Sequence, residues 1–263
     1  MAARTARVTP GPGGSEPNGA RIVALPMALT LALASGATVM SFAFAGATFE
    51  RWLRRRRRHE LAWSVALALF TCGSLSLWAG AAVGWNGLTF RLFYLFGAIV
   101  NVPFLALGTV YLLAGRRRGD VWAATVTMAC AFAAGVLAVA PLTGAIEPDV
   151  LPQGSEVFGP LPRVLAALAS GVGATVVFVG ALWSAARLLT WRRRPGGRTP
   201  AVAAGRLAGG NLLIALGTAL LSTSGLLNSV LGEMEAFAIT LTLGITVLFA
   251  GFLVASASGR APA

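Results

Sequence analysis

Seven long uncharged intervals constrain this chain more than any other feature. Marking every Arg, Asp, Glu and His leaves residues 22–49, 61–90, 92–115, 121–146, 164–186, 207–232 and 236–259 without a formal charge. Each is at least 23 residues long. A helix of about 20 apolar residues crosses a hydrocarbon core of about 30 Å, so every interval crosses once, and none is long enough to cross twice. In lipid each backbone N–H and C=O must be paired within the protein, which leaves helices or a closed barrel. Period-2 alternation with frequent turns, the mark of a barrel, is absent. With 56% hydrophobic and 11% charged residues and a mean hydropathy of +0.75, the composition is that of an integral membrane protein. The fold expected is therefore all-α: a polytopic transmembrane helix bundle of seven spans, at about 22–49, 61–84, 92–115, 121–142, 164–190, 207–231 and 236–258.

The basic residues set the orientation, because arginines near helix ends stay on the cytoplasmic side. With the N-terminus outside, 16 of the 21 arginines fall inside, including the clusters Arg54, Arg55, Arg56, Arg57 and Arg58; Arg116, Arg117 and Arg118; and Arg192, Arg193 and Arg194. Six of the nine acids fall outside: Glu16, Glu147, Asp149, Glu156, Glu233 and Glu235. The C-terminus is then inside. Residues 1–20, rich in Gly, Pro, Ser and Thr, are expected as a disordered external tail, and residues 260–263 as a cytoplasmic stub. A cleavable signal peptide over residues 1–34 fits less well, because the apolar run continues to Phe49 and cleavage would put Arg54 to Arg58 outside. Arg, Ala, Gly and Pro are residues of GC-rich codons, and their abundance without Lys points to a GC-rich bacterial genome, so the membrane expected is a bacterial plasma membrane.

Several chemistries are excluded by what the chain lacks. All 21 basic residues are Arg, so a retinal or pyridoxal Schiff base has no lysine to form on. The single His59 lies among arginines and cannot supply a bis-histidine haem or a His-rich metal site. Cys72 and Cys130 lie in separate apolar stretches without metal-ligand spacing and read as small core hydrophobes. No cofactor and no metal is expected. The arginines lie in short clusters between spans, which topology explains and nucleic-acid binding does not. No ionisable residue lies in the middle of a span, which argues against a proton relay.

What remains for a site is neutral polarity inside the helices. On the third span Tyr94, Asn101 and Gly108 recur at seven-residue spacing and would share one face of a regular helix. Pro103 frees the carbonyl of Ile99, so a kink beside Asn101 is expected. The sixth span carries Asn211, Thr218, Ser222 and Asn228, the most polar series in the chain, and should face the bundle interior. These six side chains, Tyr94, Asn101, Asn211, Thr218, Ser222 and Asn228, either line an uncharged pocket or join helices by hydrogen bonds.

The arginine clusters suit anionic phospholipid head groups on the cytoplasmic face. Trp52, Trp63, Trp122 and Trp191 fall near that face and Trp85 near the other, as interfacial anchors do. Residues 143–163 form the one sizeable external loop, expected to be solvated and stiffened by Pro148, Pro152, Pro160 and Pro162. Spans 1–3 and 5–7 match poorly as repeats, and neither half carries the Pro-Gln pair of small three-plus-one-plus-three sugar transporters.

The stretch from Glu50 through Arg118, with its Arg-rich turn, Trp63 and the helix from Phe93 to Gly108, resembles uncharacterised seven-span membrane proteins of high-GC Gram-positive bacteria. The layout is also similar to the seven-helix input regions that precede bacterial histidine kinases. The resemblance implies localisation and architecture and transfers no functional residue. The function expected is a non-enzymatic membrane module that senses a small apolar ligand or binds a membrane or cytoplasmic protein partner. A small-molecule transporter is the alternative. An intramembrane enzyme is a second alternative, requiring external carboxylates such as Glu147 or Asp149 to converge with Glu233.

Overall fold

The computed structural model describes residues 17–191, 201–226 and 234–257. Among them the chain is helical apart from short turns and the loop at 140–153. The helices are α1 (Pro17–Arg55), α2 (Arg58–Val83), α3 (Gly87–Phe93), a π-helical segment (Tyr94–Val100), α4 (Asn101–Val139), α5 (Gly154–Val157), α6 (Pro160–Trp191), α7 (Ala201–Leu226) and α8 (Met234–Ala257). Six helical segments among the described residues are long and apolar enough to cross a membrane, as expected of a multi-pass membrane protein.

The third of those segments, Gly87–Val139, is 53 residues long and would extend about 80 Å as one straight helix. It does not run straight. Gly115 has φ 83° and ψ 178°, a left-handed conformation in which a side chain would be strained, and the chain reverses there. Beyond the turn, Tyr111 Oη donates to Asp120 at 2.8 Å. At the far end the Arg91 guanidinium donates to the carbonyls of Leu137 and Ala140, the latter at 2.6 Å. Paired positions thus converge on Gly115, so the two halves lie antiparallel. Arg91 also caps carbonyls that the end of α4 leaves without helical donors.

The half after Gly115 is peripheral. Gly119, Cys130, Ala133, Leu137 and Ala140 are buried, with Ala123 and Val126 partly so, a stripe of alternating three- and four-residue steps. The remaining faces are open, with Met128 73% and Phe132 60% exposed. The other long helices close a ring: α1 packs on α2 and α8, α7 on α8 and α6, and α4 on α2 and α6.

Lipid tails are as apolar as leucine, so the helices are held by close packing and interhelical hydrogen bonds rather than by escape from water. Glycine supplies the close packing. A Cβ on Gly210 would lie 2.7 Å from the Ala255 nitrogen and the Gly251 oxygen, and one on Gly217 would lie 2.7 Å from the Leu248 nitrogen. Gly244 and Gly251 meet α7 in the same way, so α7 and α8 touch backbone to backbone at two levels seven residues apart. Hydroxyls supply the cross-links. Thr71 donates to Ser41 Oγ at 3.0 Å, Ser64 to the Ala45 carbonyl at 3.1 Å, and Thr242 to the Leu33 carbonyl at 3.1 Å.

Two expectations need correction. Residues 143–163 are more than a solvated loop: Leu151, Val157 and Phe158 are at most 4% exposed. The Thr143 amide donates to the Val157 carbonyl and the Trp85 amide to the Pro148 carbonyl, each at 2.9 Å, so the loop is tied down over the helix ends. Trp85 is not an interfacial anchor either. It is 4% exposed and meets Phe90 and Phe93 edge-on, because the loop covers it. The first helix starts at Pro17, within the expected tail, and residues 1–16 and 258–263 lie outside the described residues.

Candidate functional site

The third span is irregular where the sequence marks it, in a different way from a simple proline kink. Residues 94–100 wind as a π-helix, and α-helical geometry resumes at Asn101, two residues before Pro103. A π turn pairs residues five apart, so the α-period that would align Tyr94, Asn101 and Gly108 does not hold across it. Tyr94 faces the segment 143–163, with its ring 5.0 Å from Phe158, 5.8 Å from Phe90 and close against Gly154. Gly108 faces Trp63 of α2, whose Nε1 donates to the Leu105 carbonyl at 3.2 Å. Asn101 is buried between them, 6% exposed, and its Oδ1 accepts from the Val102 amide at 2.8 Å.

Small residues let two helices clasp this segment. A Cβ on Gly73 of α2 would lie 2.9 Å from the Gly97 nitrogen, and one on Gly173 of α6 would lie 2.8 Å from Val102. Ser170 of α6 donates to the Ala98 carbonyl, satisfying a backbone group within the widened turn. Tyr94 and Asn101 are thus fixed between α2, α6 and the loop.

The candidates on α7 form a second group further along α6, about three turns beyond Gly173. Asn211 Nδ2 donates to Ser184 Oγ of α6 at 2.9 Å. Thr218 is 4% exposed and donates to the Ile214 carbonyl at 2.8 Å. Ser222 is exposed, contrary to its expected inward position. Its hydroxyl donates to the Thr218 carbonyl at 2.9 Å and so can face lipid without an unmet bond. Asn228 lies outside the described residues. The structure therefore places Tyr94 and Asn101 with α2, α4 and α6, and Asn211 with α6 and α7.

The arginine-rich end holds the charged chemistry, much of it not foreseen. Arg58 bonds Asp120, which also accepts from Tyr111 and lies 3.8 Å from Arg116 Nε. This joins the turn between α1 and α2 to the turn at Gly115. Helix α1 runs on through Arg55, past the expected end of the first span at 49, and carries Arg51. Its Nε lies 3.7 Å from Glu60 Oε1, and its guanidinium lies 4.0 Å from the Phe252 ring centre on α8. Glu60 is in the first turn of α2 with its side chain 3% exposed, and its Oε2 is buried without a hydrogen bond. An acid in a first turn suits the helix dipole, but no sequence pattern signals its burial. Arg54 pairs with Glu50 at 2.6 Å, Arg55 and Arg57 are exposed, and Arg56 stacks on Trp52. Arg117 and Arg118 are exposed, and Arg192, Arg193 and Arg194 lie outside the described residues.

Glu147, Asp149 and Glu156 are exposed on the loop at the opposite end, and Glu233 lies outside the described residues. No group of three or more His, Cys, Asp or Glu suited to a metal ion occurs among the described residues. No protein-family model matches the chain, and neither a curated protein nor a solved structure matches it.

Proposed function

We propose that this chain is a seven-span protein of a bacterial plasma membrane, N-terminus outside and C-terminus inside, working as a non-enzymatic module that senses a small ligand or docks a protein partner. The reversal at Gly115 supports seven spans, since residues 87–114 and 116–139 each exceed the roughly 20 residues a crossing needs. Orientation draws support from Arg51, Arg58 and Arg116 gathering at one end of the bundle while Glu147, Asp149 and Glu156 lie at the other.

The observation that carries the functional reading is how the interior polar groups are held. Asn211 bonds Ser184, Ser170 bonds the Ala98 carbonyl, and Asn101 accepts from the neighbouring Val102 amide. Around them Gly73, Gly173, Gly210 and Gly217 bring backbones into direct contact. Alternating access requires one group of helices to rock against another, and glycine-locked contacts on several helix pairs favour a fixed bundle instead.

Native mass spectrometry of the detergent-purified chain tests this, comparing wild type with Asn101→Leu and Asn211→Leu. A small-molecule adduct lost in either variant identifies a sensing pocket. Identical spectra carrying phospholipid alone direct the search to a protein partner. Solute uptake into vesicles that either variant abolishes would overturn the reading in favour of a transporter.

A further inference from the structure

Two surface depressions meet on the outer face of the helix that follows Gly115. The first, at the arginine-rich end, is a shallow pocket of about 320 Å³ lined by Arg117, Arg118, Val121 and Trp122. The second is an open, mainly apolar groove of about 840 Å³ along Val121, Ala124, Thr125, Met128, Ala129 and Phe132, with Asp120 at its arginine-rich end. Val121 lines both, so the basic pocket forms a mouth that continues into a largely apolar surface groove.

We infer that this is a binding site for one anionic diacyl phospholipid, which deepens the membrane reading by assigning a lipid class to a place. Three observations select that occupant. Asp120, the acid nearest the mouth, is occupied by Arg58 and Tyr111 and approached by Arg116, whereas Arg117 and Arg118 form no ion pair among the described residues. The mouth therefore presents two uncompensated guanidinium groups, whose fork of donors matches a phosphate. Trp122, 51% exposed, stands beside them as a residue suited to head-group depth. From Val121 to Phe132 the groove runs about 17 Å, close to the half-thickness of a roughly 30 Å hydrocarbon core, so an acyl chain of one leaflet fills it. The groove also lies opposite the buried stripe of Cys130, Ala133 and Leu137, on the face that the bundle leaves open.

The test titrates the purified full-length protein in native mass spectrometry with dioleoyl-phosphatidylglycerol, dioleoyl-phosphatidylcholine and inorganic phosphate. One phosphatidylglycerol should bind at least tenfold more tightly than phosphatidylcholine, and millimolar phosphate should not displace it. Each arginine at an anionic head group is worth roughly fivefold, so Arg117→Gln with Arg118→Gln should weaken phosphatidylglycerol about 30-fold. Ala124→Trp, which fills the groove, should abolish the first lipid of either class. Arg163→Gln, removing an exposed charge at the opposite end of the bundle, should leave it unchanged. The inference is overturned if Arg163→Gln weakens binding as much as Arg117→Gln with Arg118→Gln, if phosphate competes, or if Ala124→Trp dissolves a dimer rather than displacing a lipid. Every substituted position is exposed, so thermal midpoints near wild type should accompany every variant.

Discussion

Breaking the Arg51–Glu60 pair should destabilise the bundle, and unequally according to which partner is removed. At 3.7 Å and an effective dielectric constant of about 20, the attraction is about 4 kcal/mol. Glu60 is 3% exposed with one oxygen already unbonded, whereas the Arg51 side chain is 25% exposed and rests on Phe252. Arg51→Met strands a buried carboxylate and should cost about 3–5 kcal/mol. Glu60→Gln leaves a cation that still has partial solvent and an aromatic face, and should cost about 2–3 kcal/mol. Replacing both, Arg51→Met with Glu60→Leu, removes two desolvated charges together and should return to within about 1 kcal/mol of wild type. The assay is reversible unfolding in mixed detergent micelles, followed by circular dichroism. Strict additivity of the two single changes, or a larger loss from Glu60→Gln than from Arg51→Met, would refute the reasoning.

Other expectations follow from packing and hydrogen bonds. Gly217→Val places methyls where the Leu248 backbone lies and should lower stability by about 1–3 kcal/mol or more, whereas Gly135→Ala, with open space around it, should lose nothing; thermal midpoints compare them. Asn211→Leu and Ser184→Ala should each cost roughly 0.6–1.7 kcal/mol, and the double variant little more than either alone, in the same unfolding assay. Asp120→Asn weakens pairs whose side chains are 40–76% exposed, so its stability loss should stay below about 1 kcal/mol and shrink with added salt.

The charge gaps made the helical segments legible because a bilayer tolerates few charges within a span, and Gly115 falls where a gap closes at Arg116. Nothing in the charge gaps pairs Arg51 with Glu60. Marking charges finds where lipid-compatible sequence ends, and helix α1 simply continues past that point to a partner on α2. Pro103 flagged an irregularity, but a proline does not say whether the helix bends or widens, and the π turn depends on Gly73, Gly97 and Ser170 meeting in space. The link between Arg58 and Asp120 spans 62 positions and has no local signal. The buried Leu151, Val157 and Phe158 were hidden by the prolines and acids around them, which read as solvated chain. Of the interior polar residues, Asn101 and Thr218 are buried as their helices require, whereas Ser222 shows that a serine bonded to its own helix carries no information about which way it faces.

The account rests on an odd number of crossings, with the 53-residue segment Gly87–Val139 counted twice. The most direct test places one protease-cleavable epitope ahead of Met1 and another after Ala263 in the same chain, and treats intact cells with protease. The account predicts loss of the N-terminal epitope and survival of the C-terminal one until the cells are lysed. Equal accessibility or equal protection of the two termini would contradict it, because both ends would then lie on one side and the crossings would be even in number.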